Sequence, residues 1–243
     1  MSDFTAEDLF DAAERVITKV FDLYGIVEPP VDAVVLVQEA FNYVVREAEP
    51  EEDEPQPGRF GPRAPRRRGR EIVLQPEQSE ESRNIVCAKA CARELVPSIL
   101  TKLGVVQGSE NRSATNQLVG LIAPRILLPS RWFERDARKA GFDLWTVKDR
   151  YATAGYELIA LRFLDIDEPC VIAVVDDGEV STRRGNRMQA GRKLSVAEQR
   201  CLARIAELGE PQTVRAEEWT ARGWPVPTGP FNRIILRAVP DEL

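Results

Sequence analysis

Two cysteines four residues apart, Cys87 and Cys91, are the residues of this sequence whose spacing could do chemistry. They lie in a segment that begins after Ser79, a residue type that favours a helix start, and whose apolar residues recur at helical spacing. Residues at i and i+4 lie on the same helix face, so both thiols project from one side. In an H-E-x-x-H helix the same spacing holds a metal between two imidazoles, and the glutamate acts as general base. Here cysteine occupies both ligand positions and Ala88 occupies the position of the base.

Three roles remain open for Cys87 and Cys91: small buried apolar groups, a redox-active or disulfide-forming pair, and zinc ligands. The chain contains no histidine, which excludes His-ligated metals and His-activated nucleophiles. Neither nearby ionisable residue of the helix is placed to act as a general base. Lys89 projects from another helix face, and Glu94 lies about 10 Å along the helix axis from Cys87. We therefore predict no catalytic residue and no cofactor, with zinc bound by the two cysteines as the alternative.

Composition bounds the class of protein. A chain of 243 residues with 43% hydrophobic content can form one domain, or a domain with a small extension. The net charge of -6 argues against general nucleic-acid binding. No apolar run is long enough to span a bilayer, the first residues do not resemble a signal peptide, and four scattered cysteines do not form a secreted disulfide framework. We predict a cytoplasmic protein without a membrane partner.

The first half of the chain predicts helices with one charged interruption. Apolar periodicity indicates helices over residues 5–24 and 31–41, and a short strand is expected near 43–45. Residues 47–70 combine an acidic block, an arginine-rich block, proline and glycine, a composition typical of a mobile charged loop. Contact of its arginines with phosphate or an acidic partner is the alternative function for this loop.

The second half combines local helix and hairpin signals. The predicted elements are a helix opened by Ser113 or Thr115, a helix over 132–140, two short helices around 153–155, a hairpin over 170–183, a helix from Ser195 to Leu208, and strands near 213–215 and 232–239. The pair around 153–155 could be a DNA-reading helix-turn-helix, although core packing is the preferred interpretation. Gly223–Pro227 is predicted to be a rigid aromatic loop.

Five pieces of the sequence, in order, resemble the ImmA/IrrE family of zinc metallopeptidases (IrrE N-terminal-like domain), and the match covers most of residues 5–185. The pieces are Gly25–Asp32 with the apolar helix after it, Glu71–Leu74 followed by Arg83, the cysteine helix, Ile122-Ala123 with Ile126–Pro129, and Asp143 through Leu164. The resemblance implies an α+β fold. It consists of a mostly helical, zincin-like lobe with a small sheet over residues 1–165, and a small α/β extension over 166–243.

The resemblance also implies which chemistry has been lost. Asn116 occupies the position where the family carries a glutamate as third metal ligand, so the degenerate site comprises Cys87, Ala88, Cys91 and Asn116. Relatives cut DNA-binding repressors in bacteria and phage. We therefore expect a non-catalytic pseudo-peptidase that binds a protein, with a repressor-like transcription factor as candidate partner, in transcriptional or stress regulation.

Two other functions remain open at this point. One is an enzyme, a metallopeptidase with a non-standard cysteine-containing metal site that cleaves a repressor-like protein. The other is a nucleic-acid-binding module, although nucleic acid is not the expected partner. The sequence does not specify the oligomeric state or the identity of the partner.

Overall fold

The structure is a computed structural model that describes residues 5–48, 70–105, 112–228 and 231–241. The chain forms two compact units, Met1–Pro129 and Ser130–Leu243. The described residues contain eight α-helices, a two-stranded parallel sheet and a five-stranded antiparallel sheet. The predicted α+β class is confirmed.

The first unit is mostly helical. Its elements are α1 (Ala6–Leu23), α2 (Ala33–Phe41), β1 (Val44–Glu47), β2 (Glu71–Leu74), α3 (Glu80–Lys102) and α4 (Arg112–Leu127). Strands β1 and β2 pair in parallel with Val44 opposite Glu71. The predicted mobile loop, residues 47–70, lies outside the described residues except at its two ends.

Local capping fixes the helix ends of this unit. Thr5 and Asp8 form a capping box at the start of α1, and the Asp32 side chain accepts the backbone N–H groups at the start of α2. Ser79 accepts the backbone N–H of Ser82 at the start of α3, as the sequence predicts. Pro97 does not end α3, which continues to Lys102.

Helix α3 forms the centre of the first unit, because it packs against α1, α2 and α4. Its buried residues are Asn84, Cys87, Ala88, Ala90, Cys91, Ala92, Leu95, Val96, Ile99 and Leu100. The facing side of α4 contributes Val119, Ile122, Ala123 and Ile126. Each fully buried large aliphatic side chain stabilises the fold by about 1.5–3 kcal/mol. The helix predicted to carry the site is therefore also the main packing element of the unit.

The second unit surrounds an antiparallel sheet. Its elements are α5 (Ser130–Lys139), α6 (Leu144–Arg150), α7 (Tyr156–Arg162), a 3₁₀ turn (Phe163–Asp165), β3 (Val171–Asp176), β4 (Glu179–Gly185), α8 (Val196–Leu208), β5 (Gln212–Ala216), β6 (Trp219–Thr228) and β7 (Phe231–Pro240). The strand order is β4-β3-β7-β6-β5.

Helices cover both faces of this sheet at β3, whose residues 171–175 are all buried. On one face Ala173 and Val175 pack in a cluster with Cys201 and Ile205 of α8. Alternation along the strand directs Ile172 and Val174 to the opposite face. Helix α7 packs against β3 and β7. A continuous apolar run is the pattern expected of a strand buried on both sides.

The boundary between the two units differs from the predicted one. The predicted boundary follows residue 165, whereas the second unit begins at Ser130. Long-range pairs explain the difference, because Asp143 accepts a hydrogen bond from Trp224 Nε1 at 3.2 Å and Glu157 forms an ion pair with Arg233 at 2.8 Å. Helices α5–α7 therefore belong with the sheet.

The prediction of a loop at 223–227 is wrong. These residues form part of β6, with Trp224 opposite Ile235 and Pro225 opposite Ile234 on β7. Strand β5 pairs with β6 only as far as Gly223, so the prolines lie where β6 has no described neighbour on its outer side. Proline is tolerated at such an edge because its missing N–H removes no ladder hydrogen bond there.

Candidate functional site

Helix α3 places Cys87, Ala88 and Cys91 in the interior of the first unit, each with 0% exposure. The i, i+4 spacing puts both thiols on one helix face, as predicted. All four cysteines of the chain are free and buried. The predicted site is therefore a packed face with small side chains.

Burial sets the protonation state of the two thiols. It raises the pKa of Cys87 to about 11, and the negative charge of Asp32 contributes further. Burial also raises the pKa of Cys91, with Cys87 as the next cause. Both thiols are therefore protonated at neutral pH. Since the thiolate is the nucleophile, the protonated pair is poorly suited to nucleophilic or redox chemistry.

The residues around the cysteines do not fit a zinc site. Asn116 on α4 is exposed, whereas both cysteines are fully buried. In the part of the chain that the structure describes, no group of three or more Cys, Asp or Glu side chains could hold a metal ion. Zinc requires at least three protein ligands in most sites, and an amide is a poor one. No hydrolytic step can be derived from these residues.

The buried polar residue of α3, Asn84, has a structural role. Its Oδ1 accepts the backbone N–H of Ala33 at 2.8 Å, and its Nδ2 donates to the Glu80 carbonyl at 3.1 Å. The first contact satisfies an N–H group at the start of α2, a position that otherwise lacks an intrahelical partner. Sequence reasoning missed this residue, although an asparagine inside an apolar helix pattern was the available signal.

Glu94 connects α3 to the small sheet. It accepts a hydrogen bond from Tyr43 Oη at 2.8 Å and pairs with Arg70 Nη2 at 3.0 Å. Partial burial raises the pKa of Tyr43, and the hydrogen bond to Glu94 raises it further. Tyr43 precedes β1 and Arg70 precedes β2, so Glu94 holds the starts of both strands against α3. Lys89, the ionisable residue between the two cysteines, is exposed.

The outer edge of β2 is the feature of the first unit best suited to binding another chain. Val44 N donates to the Arg70 carbonyl and Ala48 N to the Leu74 carbonyl, each at 2.8 Å. Backbone groups alternate sides along a strand, so Glu71 and Val73 direct their N–H and C=O groups away from β1. Among the described strands none pairs with this side. Such an edge is a template for strand addition.

One face of the small sheet adds apolar surface to that edge. Val44 is 61% exposed and Val73 is 43% exposed. An ion pair between Arg46 and Glu71 lies on the same face, because these residues share the strand alternation with the two valines. The face is apolar with its charges paired, which favours an apolar partner segment.

The helical pair α6–α7 packs into the core of the second unit. Arg162 is 5% exposed, and its guanidinium donates to Asp165 and to Ser130 Oγ. Glu157, another polar residue of α7, pairs with Arg233. Both side chains have partners within the unit, which favours the core-packing interpretation of the helical pair.

Comparison with known proteins supports the fold and leaves the family open. No protein-family model matches the sequence, and no curated protein matches it. A solved structure of a Mycobacterium tuberculosis transcriptional regulator is similar, with a TM-score of 0.63 and 18% sequence identity. The similarity covers 96% of this chain and 76% of that chain. The chain therefore shares its α+β fold with that regulator.

Within the described ranges, no helix combines the length and apolar character needed to cross a bilayer.

Proposed function

We propose that this chain is a degenerate relative of the ImmA/IrrE metallopeptidases, a regulator that acts by binding a protein without cleaving it. The proposal rests mainly on the burial of the two cysteines that occupy the positions of the metal ligands. Cys87 and Cys91 are fully buried, and within the described residues they do not belong to a group of three possible metal ligands. A hydrolytic metal centre needs three protein ligands and an open position for water.

The other polar groups of α3 support the same conclusion. A metallopeptidase needs a general base within hydrogen-bond reach of the metal-bound water. Glu94 holds Tyr43 and Arg70, and Asn84 holds the start of α2. Ala88, at the position of the base, has no ionisable group. The helix supplies packing and anchoring in place of catalysis.

The partner binds in this proposal as an extended segment along the outer edge of β2. The outward N–H and C=O groups of Glu71 and Val73 pair with its backbone, and the exposed valines contact its apolar side chains. A repressor-like transcription factor is the proposed partner. The description of the similar structure as a transcriptional regulator agrees with this role.

Genetic complementation tests the proposal. The gene is deleted in its host, and transcript changes are compared after complementation with the wild-type chain or with a variant. Val73→Pro removes an outward N–H without affecting the bonds to β1, whereas Val73→Thr keeps the N–H and the β-branched shape as a matched control. Cys87→Ala/Cys91→Ala removes both thiols.

The wild-type chain, Val73→Thr and the cysteine double variant should restore the transcript pattern, and Val73→Pro should not. The partner that co-purifies with the wild-type chain should remain full-length and should be lost with Val73→Pro. If the double variant accumulates as a folded protein but fails to complement, the thiols have a chemical role and the enzyme alternative gains support.

A further inference from the structure

The second unit contains a cleft of about 1210 Å³ that no predicted motif accounts for. Its walls come from α6, α8, the β3–β4 turn, β6 and β7. The lining residues used below are Trp145, Asp177, Leu202, Pro225, Arg233 and Ile234. This volume is large enough for an organic molecule of drug size.

The cleft exists because α8 covers only part of its sheet face. Cys201 and Ile205 of α8 pack with Ala221 of β6 and Leu236 of β7. Alternation places Pro225 and Ile234 on the same face of the sheet, further along the strands. They form an apolar floor beside Leu202. Trp145 of α6, 39% exposed, provides an aromatic ring at the side of the cleft.

Asp177 and Arg233 are the two charged residues among those that line the cleft. Arg233 is the only cation among the lining residues. The guanidinium of Arg233 donates hydrogen bonds to both carboxylate oxygens of Asp176, at 2.6 and 3.0 Å, and it forms an ion pair with Glu157 at 2.8 Å. This arginine is therefore not available to an anion.

Asp177 contributes a carboxylate to the lining. Its Oδ1 accepts the backbone N–H of Asn232 at 3.0 Å. Strand alternation places Arg233 and Asp176 on the sheet face opposite Pro225 and Ile234. Asp177 is therefore the one carboxylate of the lining, and the guanidinium of Arg233 is held by Asp176 and Glu157 instead.

From the apolar floor, the aromatic ring and the carboxylate of Asp177, we propose that this cleft binds a small organic cation with a flat or bulky apolar body. The apolar body lies on Pro225, Ile234 and Leu202. The positive charge lies near Asp177 and against the ring of Trp145, since aromatic faces attract cations. This site belongs to the second unit and is independent of the function proposed for α3 and β2.

Titration calorimetry of the full-length protein with two probes of the same shape and opposite charge tests the proposal. Tetraphenylphosphonium should bind saturably with one site per chain. Tetraphenylborate should bind at least about tenfold more weakly, because Asp177 repels its negative charge and attracts that of the phosphonium. Equal affinities, tighter binding of the borate, or no binding of the phosphonium would overturn the proposal.

Two variants locate the site. Asp177→Asn removes only the charge, because asparagine also tolerates the φ of 49° at this position and can keep the contact to Asn232. It should weaken phosphonium binding about three- to fivefold. Leu202→Arg places a long cation over the floor and should abolish binding while circular dichroism shows a folded chain.

Glu179→Gln is the control, because it removes one exposed carboxylate of the same hairpin outside the lining. It should bind the phosphonium as the wild-type chain does. If Asp177→Asn and Glu179→Gln have the same affinity, the interaction reflects overall charge and the assignment to this cleft is wrong.

Discussion

At the scale of single residues, burial determines the pKa of the cysteine thiols. Each of the four has a raised pKa whose first cause is desolvation, and the pKa of Cys87 and of Cys201 reaches about 11. The unperturbed thiol value is 9.0. An unfolded chain therefore loses these protons at lower pH than the folded chain.

This difference predicts a loss of stability at alkaline pH. A folded pKa above the unfolded one means that the contribution is complete below pH 9 and is lost as the pH rises toward the folded value. Between pH 8.5 and 10, the free energy of unfolding of Cys87→Ala/Cys91→Ala should fall less than that of the wild-type chain, by about 1–3 kcal/mol. Urea unfolding followed by far-UV circular dichroism measures this.

Ile99→Val is the control for the loss of packing. It removes buried volume from the same helix, so it should lower stability by about 0.5–1.5 kcal/mol without changing the pH dependence. Parallel pH profiles for the wild-type chain and the double variant would mean that the thiols already titrate normally in the folded state, which would contradict the structural role.

At the scale of elements, the packing of α8 on β6 depends on Gly223. A Cβ at this position would lie 2.4 Å from Cδ2 of Leu236 and 2.5 Å from Cδ1 of Ile205. Both side chains are buried, so their displacement strains the core. Gly223→Ala should destabilise the second unit by about 1–3 kcal/mol and lower its calorimetric melting temperature by several degrees.

Gly120→Ala provides the contrasting substitution. Gly120 lies in α4, is exposed, and has no heavy atom within 4 Å of an added Cβ. Alanine at this position should stabilise the helix by about 0.5–1 kcal/mol. A melting temperature of Gly223→Ala at or above that of the wild-type chain would show that α8 does not approach the sheet as closely as described.

Local signals allowed several elements to be predicted from the sequence. The Ser195–Glu198 capping box and Gly209, with its φ of +70°, delimit α8 as expected. The Asp177–Gly178 turn gives the β3–β4 hairpin. In each case the determining residues lie within a few positions of one another, so one short window contains the information.

Features that depend on distant neighbours were not predictable in this way. Pro225 signals a loop until its position at a sheet edge is known. The role of Asn84 depends on Ala33, 51 residues away. At the candidate site, the sequence identified the cysteine face and left three roles open. The cleft of the second unit had no sequence signal, because its lining comes from four separate elements and a turn.

At the scale of the whole molecule, the protein has two units with different surface properties. The first is built around α3 and has an exposed strand edge. The second has a sheet covered by helices and a cleft lined by apolar residues, Trp145 and Asp177. We propose protein binding for the first unit and ligand binding for the second.

The central claim is that α3 is a packing helix which has replaced a metal centre. The most direct measurement is the zinc content of the chain purified without chelator, by inductively coupled plasma mass spectrometry, beside that of Cys87→Ala/Cys91→Ala. The account predicts zinc well below one ion per chain in both proteins, and no change in melting temperature when chelator is added. One zinc ion per wild-type chain that is absent from the double variant, together with a chelator-induced loss of stability, would contradict it.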